Sequence, residues 1–276
     1  MRRSCLLLFI LFSLTLVGQT SSDNKMARIP TKTLIDTSYM EVIYCHKIYD
    51  DYQKFQQDFF DILQIGKNHC FYYNYGYYKR DSIIDIDYPN GLTRFQFYAL
   101  GEKTHPQQDI EIVRNLQTGE MTCYDKVFID NYFYEETLPE MKWTLLPTYE
   151  EICGFKCYQA TTTFRGRKWT AWYCDDIPLN NGPWKFNGLP GVILKAQDIT
   201  GEHIFEAISI RKSDRPFGPK KKNRLKTDRK KFNEMKKNYK WKLSDMSIDP
   251  NLIPRDKNSK PISGSRRLFY VPIELD

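Results

Sequence analysis

The chain has 276 residues, a formal net charge of +7 and an aromatic content of 15%, with 19 tyrosines. A chain of this length fits one large β domain or two small ones and can bury a sizeable core. Because Tyr, Phe and Trp favour half-buried strands, the composition favours a fold rich in β-structure.

The first 22 residues have the pattern of a secretory signal peptide. Arg2 and Arg3 precede an apolar run over residues 6–17, and small and polar residues over 18–22 follow it. Such a run is too short to span a bilayer comfortably, and no later apolar segment approaches the length of a transmembrane helix. Cys5 lies before the run, which argues against a lipid-attachment cysteine. The sequence therefore predicts export, with the mature protein in the periplasm or associated with the outer membrane.

The predicted elements are mostly short strands with turns between them. Residues 51–64 and 68–78 stay ambiguous between helix and strand, because their aromatic residues fit either spacing. Alternating apolar residues predict strands over residues 39–49, 93–100, 109–115, 121–129, 132–136, 142–146, 192–198 and 203–210. This pattern predicts a mainly β, antiparallel fold, as a curved sheet, a sandwich or an open half-barrel.

The clearest local unit is a hairpin. Strands over residues 155–164 and 167–174 flank Arg165-Gly166, a two-residue turn with Gly where a positive φ is needed. Pairing across that turn places residues opposite each other when their numbers add to 331. The better core face then carries Tyr158, Ala160, Thr162, Phe164, Trp169, Ala171 and Tyr173.

The cysteines favour disulfides if the protein is exported. Without Cys5 the chain has six, an even number in an oxidising compartment. Cys157 and Cys174 add to 331 and form a non-hydrogen-bonded pair of the hairpin, so we predict a cross-strand disulfide between them. A redox-active or metal-binding pair is the alternative. The remaining cysteines, Cys45, Cys70, Cys123 and Cys153, allow three pairings.

Positive charge is concentrated near the C-terminus. Residues 211–240 contain 14 Lys or Arg against three acids, a net +11, whereas the rest of the mature chain carries −6. A thin apolar stripe predicts a basic helix over residues 224–239. Residues 211–265 are expected to form a basic, partly irregular excursion from a single β domain spanning residues 23–276, which ends in a strand-like tail over 267–275.

Several motifs together resemble the GLPGLI family of exported proteins. The resemblance is strongest over residues 150–200, and Val192 stands where the family name has Leu. The motifs are Gly154-Phe155-Lys156-Cys157, Ala160-Thr161-Thr162, Phe164-Arg165-Gly166-Arg167, Ala171-Trp172-Tyr173, Ile177-Pro178, Gly182-Pro183-Trp184-Lys185-Phe186, Gly188-Leu189-Pro190-Gly191 and the closing Pro272-Ile273-Glu274-Leu275-Asp276. This resemblance implies an exported protein and assigns no activity.

The loop over residues 182–191 has two interpretations. Its glycines permit close backbone approach, its prolines stiffen the path and its apolar side chains can plug a core. It is either a rigid crossover that caps the sheet's core or a lip over a ligand cavity. The binding residues of such a lip would be Trp172, Trp184, Phe186 and Leu189. The loop does not resemble a phosphate-binding loop, because no Lys-Ser/Thr pair follows a glycine-rich run.

Catalytic and metal-binding patterns are weak in this sequence. The four histidines (46, 69, 105 and 203) have no recognisable Ser-His-Asp, Cys-His or His-Glu-x-x-His setting. Asp175 and Asp176 are adjacent, so in a strand they diverge and cannot act as an acid/base pair. We therefore predict no catalytic residue, no metal and no cofactor.

These observations favour a non-catalytic binding or accessory protein of the cell envelope. It would hold an apolar ligand or dock an outer-membrane or envelope protein. The basic segment could meet an anionic envelope surface, and export argues against nucleic acid as a partner. One alternative is an envelope hydrolase with a site assembled from distant residues; another is a structural or assembly protein. An apolar cavity would favour binding, whereas converging histidines and carboxylates would favour an enzyme.

Overall fold

The computed structural model describes residues 25–50, 54–242, 265–267 and 271–276. Its central feature is a 13-stranded sheet in which all pairs are antiparallel except one short parallel pair at an edge. The expectation of a mainly β, curved and open antiparallel sheet is confirmed. The predicted signal peptide lies outside the described residues.

The strands follow the chain closely, and most neighbours in space are neighbours in sequence. The strands of the large sheet are β1 (Asp36–Asp50), β2 (Phe55–Gly66), β3 (His69–Asn74), β4 (Glu111–Asn115), β5 (Glu120–Val127), β6 (Asp130–Thr137), β7 (Thr144–Ile152), β8 (Phe155–Phe164), β9 (Arg167–Cys174), β10 (Val192–Asp198), β11 (His203–Lys212), β12 (Pro216–Phe217) and β13 (Leu225–Lys226). Their spatial order is β13-β6-β5-β4-β3-β2-β1-β11-β10-β9-β8-β7, and β12 pairs with the start of β1. Long β1 and β2 therefore lie in the middle of the sheet.

Helices and a small second sheet complete the described structure. The helices are α1 (Tyr75–Asp87), α2 (Arg94–Thr104) and α3 (Arg229–Asn238), and a two-stranded sheet pairs β14 (Lys240–Lys242) with β15 (Ser265–Arg267). Among the described helices, none is both long and apolar enough to cross a bilayer.

One face of the large sheet carries the main core, and we call it the inner face. Tyr44, Tyr72, Tyr134 and Trp169 lie on this face and are buried in one apolar cluster. The cluster collects side chains from both halves of the sheet and from the loop over residues 182–191. We therefore expect buried functional groups on the inner face.

The hairpin formed by β8 and β9 has the predicted register. Tyr158 pairs with Tyr173 and Phe164 with Arg167, so paired numbers add to 331. Arg165 and Gly166 both have positive φ, 51° and 76°, as a type I′ turn requires. Ala160, Thr162, Phe164, Trp169 and Ala171 are buried, which confirms most of the expected core face.

Two stretches differ from the sequence-based expectation. Residues 93–100, predicted as a strand, form most of α2, because Thr93 and Gln96 make a reciprocal capping box. Helix α1 was not predicted; Asn74 caps it by accepting a hydrogen bond from the Gly76 amide. In both cases the local capping hydrogen bonds outweigh the β-propensity of the aromatic residues.

The basic segment packs against the acidic body of the same chain. The predicted helix is α3, shorter than expected, and it begins after Asp228, whose side chain accepts from the Lys231 amide. Among the described residues, eight basic side chains of the segment form ion pairs with the body, namely Arg211–Glu41, Arg215–Asp85, Lys220–Asp81, Lys222–Glu111, Arg224–Glu111, Lys226–Glu135, Arg229–Glu274 and Lys236–Asp125. Positive charges of the basic segment are thus paired with negative charges of the body in the same chain. Residues 243–264 of the predicted excursion lie outside the described residues.

Candidate functional site

A cavity of about 580 Å³ opens on the inner face. Its volume falls within the range of small-molecule sites. Six of the aromatic rings in its wall come from strands β2, β3, β6 and β11, the loop over residues 182–191 and helix α3; they are Phe59, Tyr72, Tyr134, Trp184, Phe205 and Phe232. The cavity is thus formed where separate elements converge, and its wall is mainly apolar and rich in aromatic rings.

A buried carboxyl group lies directly behind this wall. Asp61 of β2 is fully buried, and its Oδ2 accepts a 2.6 Å hydrogen bond from the Tyr72 hydroxyl. The Asn74 amide donates to Oδ1 at 3.4 Å, and His46 Nδ1 lies 3.8 Å from Oδ2. Burial raises the pKa of Asp61 to about 7, although both hydrogen bonds favour the ionised form. Asp61 is therefore a carboxyl group that changes its charge near neutral pH.

Two histidines continue this polar row along the cavity wall. His46 Nε2 lies 3.2 Å from His203 Nδ1, and the His46 ring stacks on Phe205 with centroids 3.8 Å apart. Burial lowers the pKa of both imidazoles, that of His203 to about 3, so both rings are neutral at neutral pH. The structure thus aligns Tyr72, His46 and His203 along one cavity, with Asp61 directly behind Tyr72 and His46.

Ion pairs surround the cavity. Lys126 of β5 pairs with Asp109, and Lys236 of α3 pairs with Asp125 of β5. These four side chains all line the cavity, so its charged groups are largely neutralised by one another. Because they join the sheet to α3 and to the chain before β4, they also fix the elements that surround the ligand space.

Residues 271–276 contribute another part of the wall. The Glu274 carboxylate is buried between Lys185 Nζ, 2.6 Å from Oε1, and Arg229 Nη1, 2.8 Å from Oε2. Burial alone would lower the pKa of Lys185, but nearby Cys123, Glu274 and Glu136 together raise it. The same two cations hold the pKa of Glu274 low despite its burial. The closing motif is therefore held by ion pairs to the loop and to α3.

The predicted loop residues are buried, but they do not form a common lip. Trp184 lines the cavity, whereas Phe186 and Leu189 lie in the core, where the Phe186 ring meets Trp169 at 4.8 Å between centroids. Trp172 lies away from the cavity, beneath Lys195, whose Nζ is 4.8 Å from its ring centroid. Of the four residues, only Trp184 is part of the cavity wall, and the loop mainly caps the core.

Arg114 holds this loop in place. Its fully buried guanidinium donates to the carbonyl oxygens of Phe186, at 2.9 Å, and Gly182, at 2.7 Å. Loop carbonyls buried without a partner would cost free energy, so this one side chain stabilises the loop path. Sequence reasoning did not identify Arg114, because a single arginine in a short strand gives no sign of its partners.

The predicted disulfide between Cys157 and Cys174 is wrong for this structure. Both are free thiols, as are Cys45, Cys70, Cys123 and Cys153. The paired ladder ends at Tyr158 and Tyr173, one residue before the two cysteines, and Cys157 Sγ lies 3.4 Å from the carbonyl oxygen of Phe155 in its own strand. Burial raises the pKa of Cys157 to about 12 and also raises that of Cys174, which keeps both thiols protonated and unreactive.

Sequence reasoning also missed the polar row. No sequence motif brings His46 and His203 together, and none singles out Asp61. The available signal was the position of Asp61 within the apolar run of residues 59–65, since a carboxyl group is rarely placed in a buried strand without a reason. Within the described residues, no group of three or more His, Cys, Asp or Glu side chains could hold a metal ion.

Comparisons with known proteins give little further information. No curated protein matches the chain. Two crystal structures of PNGF-II, in space groups P21 and C2, share 14% and 15% sequence identity with TM-scores of 0.48 and 0.47. Each match covers 82% of this chain, which spans only 39% of either PNGF-II chain. Residues 162–195, which include the β8–β9 turn and the loop over residues 182–191, match the model of a family described as a protein of unknown function, Porph_ging.

Proposed function

We propose that this protein is an exported protein of the cell envelope that binds a small, largely apolar ligand in the cavity on its inner face. Membership of the GLPGLI family and the periplasmic or outer-membrane location are parts of this proposal. The observation that carries it is the aromatic wall of a cavity of about 580 Å³. Burial of apolar ligand surface against such a wall contributes roughly 25 cal/mol per Å² before the costs of association.

The composition of the wall favours binding over acyl-transfer catalysis. Among the described residues that line the cavity, there is no Ser, Thr or Cys to act as a nucleophile. The nearest hydroxyl groups are those of tyrosines, and the Tyr72 hydroxyl is already engaged by Asp61. A hydrolase that forms a covalent intermediate needs a nucleophilic side chain as well as a general base.

A hydrolase that activates water remains the second candidate, because His46, His203 and Asp61 converge at the cavity. A neutral imidazole beside a carboxyl group is the arrangement expected of a general base. His46→Gln and His203→Gln should then abolish turnover of envelope esters or glycosides while leaving their binding intact. If the wild-type protein turns over none of these substrates, the hydrolase candidate is excluded for them.

The binding proposal is tested with a variant that fills the cavity. Val127 lines the cavity at the end of β5, and Val113 packs against the apolar cluster of Ile43, Ile62, Phe71, Tyr73 and Phe217 outside it. Val127→Trp should therefore remove binding, whereas Val113→Trp should retain it. Native mass spectrometry of protein purified from the envelope would show a bound small molecule in the wild type and in Val113→Trp alone.

Fluorescence gives an independent test of where the ligand sits. Trp184 is in the cavity wall and Trp172 is outside it, although both are buried. An apolar ligand should change the emission of the wild type and of Trp172→Phe, and the change should be much smaller in Trp184→Phe. An unchanged response in Trp184→Phe would place binding elsewhere. Absence of any ligand in all proteins would leave the structural or assembly role.

A further inference from the structure

Asp61 is unusual among the buried carboxylates because no Lys or Arg side chain of the described residues pairs with it. The other buried acids, Glu41, Asp81, Glu111, Asp198 and Glu274, each have a Lys or Arg nitrogen within 3.0 Å. In the part of the chain that the structure describes, no Lys or Arg nitrogen lies within 4.0 Å of the Asp61 oxygens; its one ion-pair candidate is His46. A buried carboxylate without a counter-ion is costly, so its position demands an explanation.

Only one layer of side chains separates Asp61 from the cavity. Tyr72 and His46 both contact the Asp61 carboxyl group, and both line the cavity. A ligand group that touches these two side chains would therefore lie several ångströms from the carboxyl group, next to side chains that are themselves buried. Interactions between charges are stronger in such surroundings than in bulk water.

The charges near Asp61 leave its negative charge uncompensated. The titratable groups in contact with it are Tyr72 of β3 and His46 of β1, with His203 of β11 beyond His46. Cys45 of β1 also interacts with the Asp61 charge, and Tyr44 and the buried Arg114 guanidinium act on Tyr72. Burial keeps the two imidazoles neutral by lowering their pKa, and it keeps the Tyr72 hydroxyl protonated by raising its pKa. The lysines of the cavity, Lys126 and Lys236, are paired with Asp109 and Asp125.

The aromatic rings next to Asp61 also favour a cation at this position. Phe59 and Phe205 line the cavity beside His46, with ring centroids 6.3 and 3.8 Å from that imidazole. The faces of aromatic rings carry negative electrostatic potential and attract cations, particularly where water is excluded. A neutral imidazole can also accept a hydrogen bond from an ammonium group.

We infer that the cavity selects ligands in which an apolar body carries a cationic amine or quaternary ammonium group, placed against His46 and Tyr72 with Asp61 as its counter-ion. This inference rests on the proposed function and specifies its ligand class. Binding of the cation ionises Asp61, whose proton is released to solvent. An anionic group at the same position would meet a carboxyl group, and the lysines in the described part of the wall are already paired with carboxylates.

The test compares three ligands of equal chain length by isothermal titration calorimetry at pH 8: decyltrimethylammonium, 1-decanol and decanoate. We expect the ammonium to bind about tenfold more tightly than the alcohol, a conservative value for two charges about 7 Å apart at an effective dielectric constant near 20. Decanoate should bind most weakly. Asp61→Asn should reduce the preference for the ammonium to within about twofold. Asp58→Asn, on the opposite face of the same strand, should leave it unchanged.

A measurement on the wild type alone covers the case in which Asp61→Asn does not fold. At pH 6.5, titrations in two buffers of different ionisation enthalpy give the number of protons released. Because Asp61, with a pKa of about 7, is about three-quarters protonated at this pH, binding of the ammonium should release roughly 0.5–0.75 of a proton, and binding of decanol none. Equal affinities for the three ligands, or no proton release, would overturn the inference and leave the proposed function standing. If none of the three ligands binds, both are overturned.

Discussion

The guanidinium of Arg167 and the carboxylate of Asp198 form a buried ion pair, with Nη1 2.7 Å from Oδ2. Arg167 also donates to the carbonyl oxygens of Pro272, at 2.5 Å, and Ile273, at 3.2 Å. The other oxygen of Asp198 accepts a 2.8 Å hydrogen bond from the His203 amide. One ion pair therefore connects the β8–β9 hairpin, the start of β11 and the segment that closes the cavity.

Replacement of Arg167 by Met should lower the free energy of unfolding by about 3–5 kcal/mol, because it leaves the Asp198 carboxylate buried without a counter-ion. Urea denaturation measures this change. Lys168→Met is the matched control, since Lys168 is the exposed neighbour on the same strand, and it should change stability by less than about 0.5 kcal/mol. Equal effects of the two substitutions would show that the ion pair does not stabilise this region.

Replacement of Arg114 should also destabilise the protein, because its guanidinium bridges two loop carbonyls. Arg114→Met should lower the free energy of unfolding by about 2–4 kcal/mol, since hydrogen bonds to a charged donor contribute more than neutral ones. Arg114→Lys should restore less than half of this loss, because an ammonium group lacks the planar fork that reaches both oxygens. Arg94→Met, at an exposed position, is the control. Full recovery in Arg114→Lys would contradict the proposed bridging role.

The reactivity of the cysteines can show whether the expected disulfide between Cys157 and Cys174 is absent. Cys153 is exposed, and the other five described cysteines are buried. A thiol reagent should therefore label Cys153 rapidly in the folded protein and the other five after denaturation without reductant. Cys153→Ser should remove the rapid phase. Failure of Cys157 and Cys174 to react after denaturation would show that they are bonded after all.

The parts of the fold that could be predicted from sequence are those governed by local rules. The Arg165-Gly166 turn fixes the pairing of β8 with β9, so the register follows from counting. Residues 93–100 show the opposite case, because their aromatic residues fit a strand until the Thr93–Gln96 capping box is considered. The excess of positive charge over residues 211–240 was visible, but its partners on the sheet depend on the tertiary fold.

The candidate site was harder to predict, because its residues are far apart in the chain. Asp61, Tyr72 and His203 lie on three strands that meet only when the sheet forms. Alternation places His46 on the same face as Tyr44, yet no local rule reveals that His203 of β11 lies diagonally across from it, opposite Ile48. Trp184 was identified for its place in a stiff loop, and that loop does reach the cavity.

The pH dependence of stability should reveal the opposite shifts of Asp61 and the histidines. His46 and His203 are neutral when folded and take up protons near pH 6.5 when unfolded, so their contribution is present above that pH and is lost on acidification. Asp61 has the opposite sign: its folded pKa of about 7 lies above the unfolded value of 3.8, so its contribution is present at low pH and is lost as the pH rises toward 7.

Between pH 6.5 and 5.0, unfolding of the wild type should therefore take up about one to two protons at the histidines and release close to one at Asp61. Its free energy of unfolding should fall by about 1–2 kcal/mol over this range, and that of Asp61→Asn by about 3 kcal/mol, because the opposing group is gone. At pH 8 the Asn variant should be the more stable protein, since the wild type then buries an ionised carboxylate. Urea denaturation at the three pH values measures both effects, with Asp58→Asn as the control. Identical pH profiles for the wild type and Asp61→Asn would mean that Asp61 already has an ordinary pKa and a counter-ion in the folded protein.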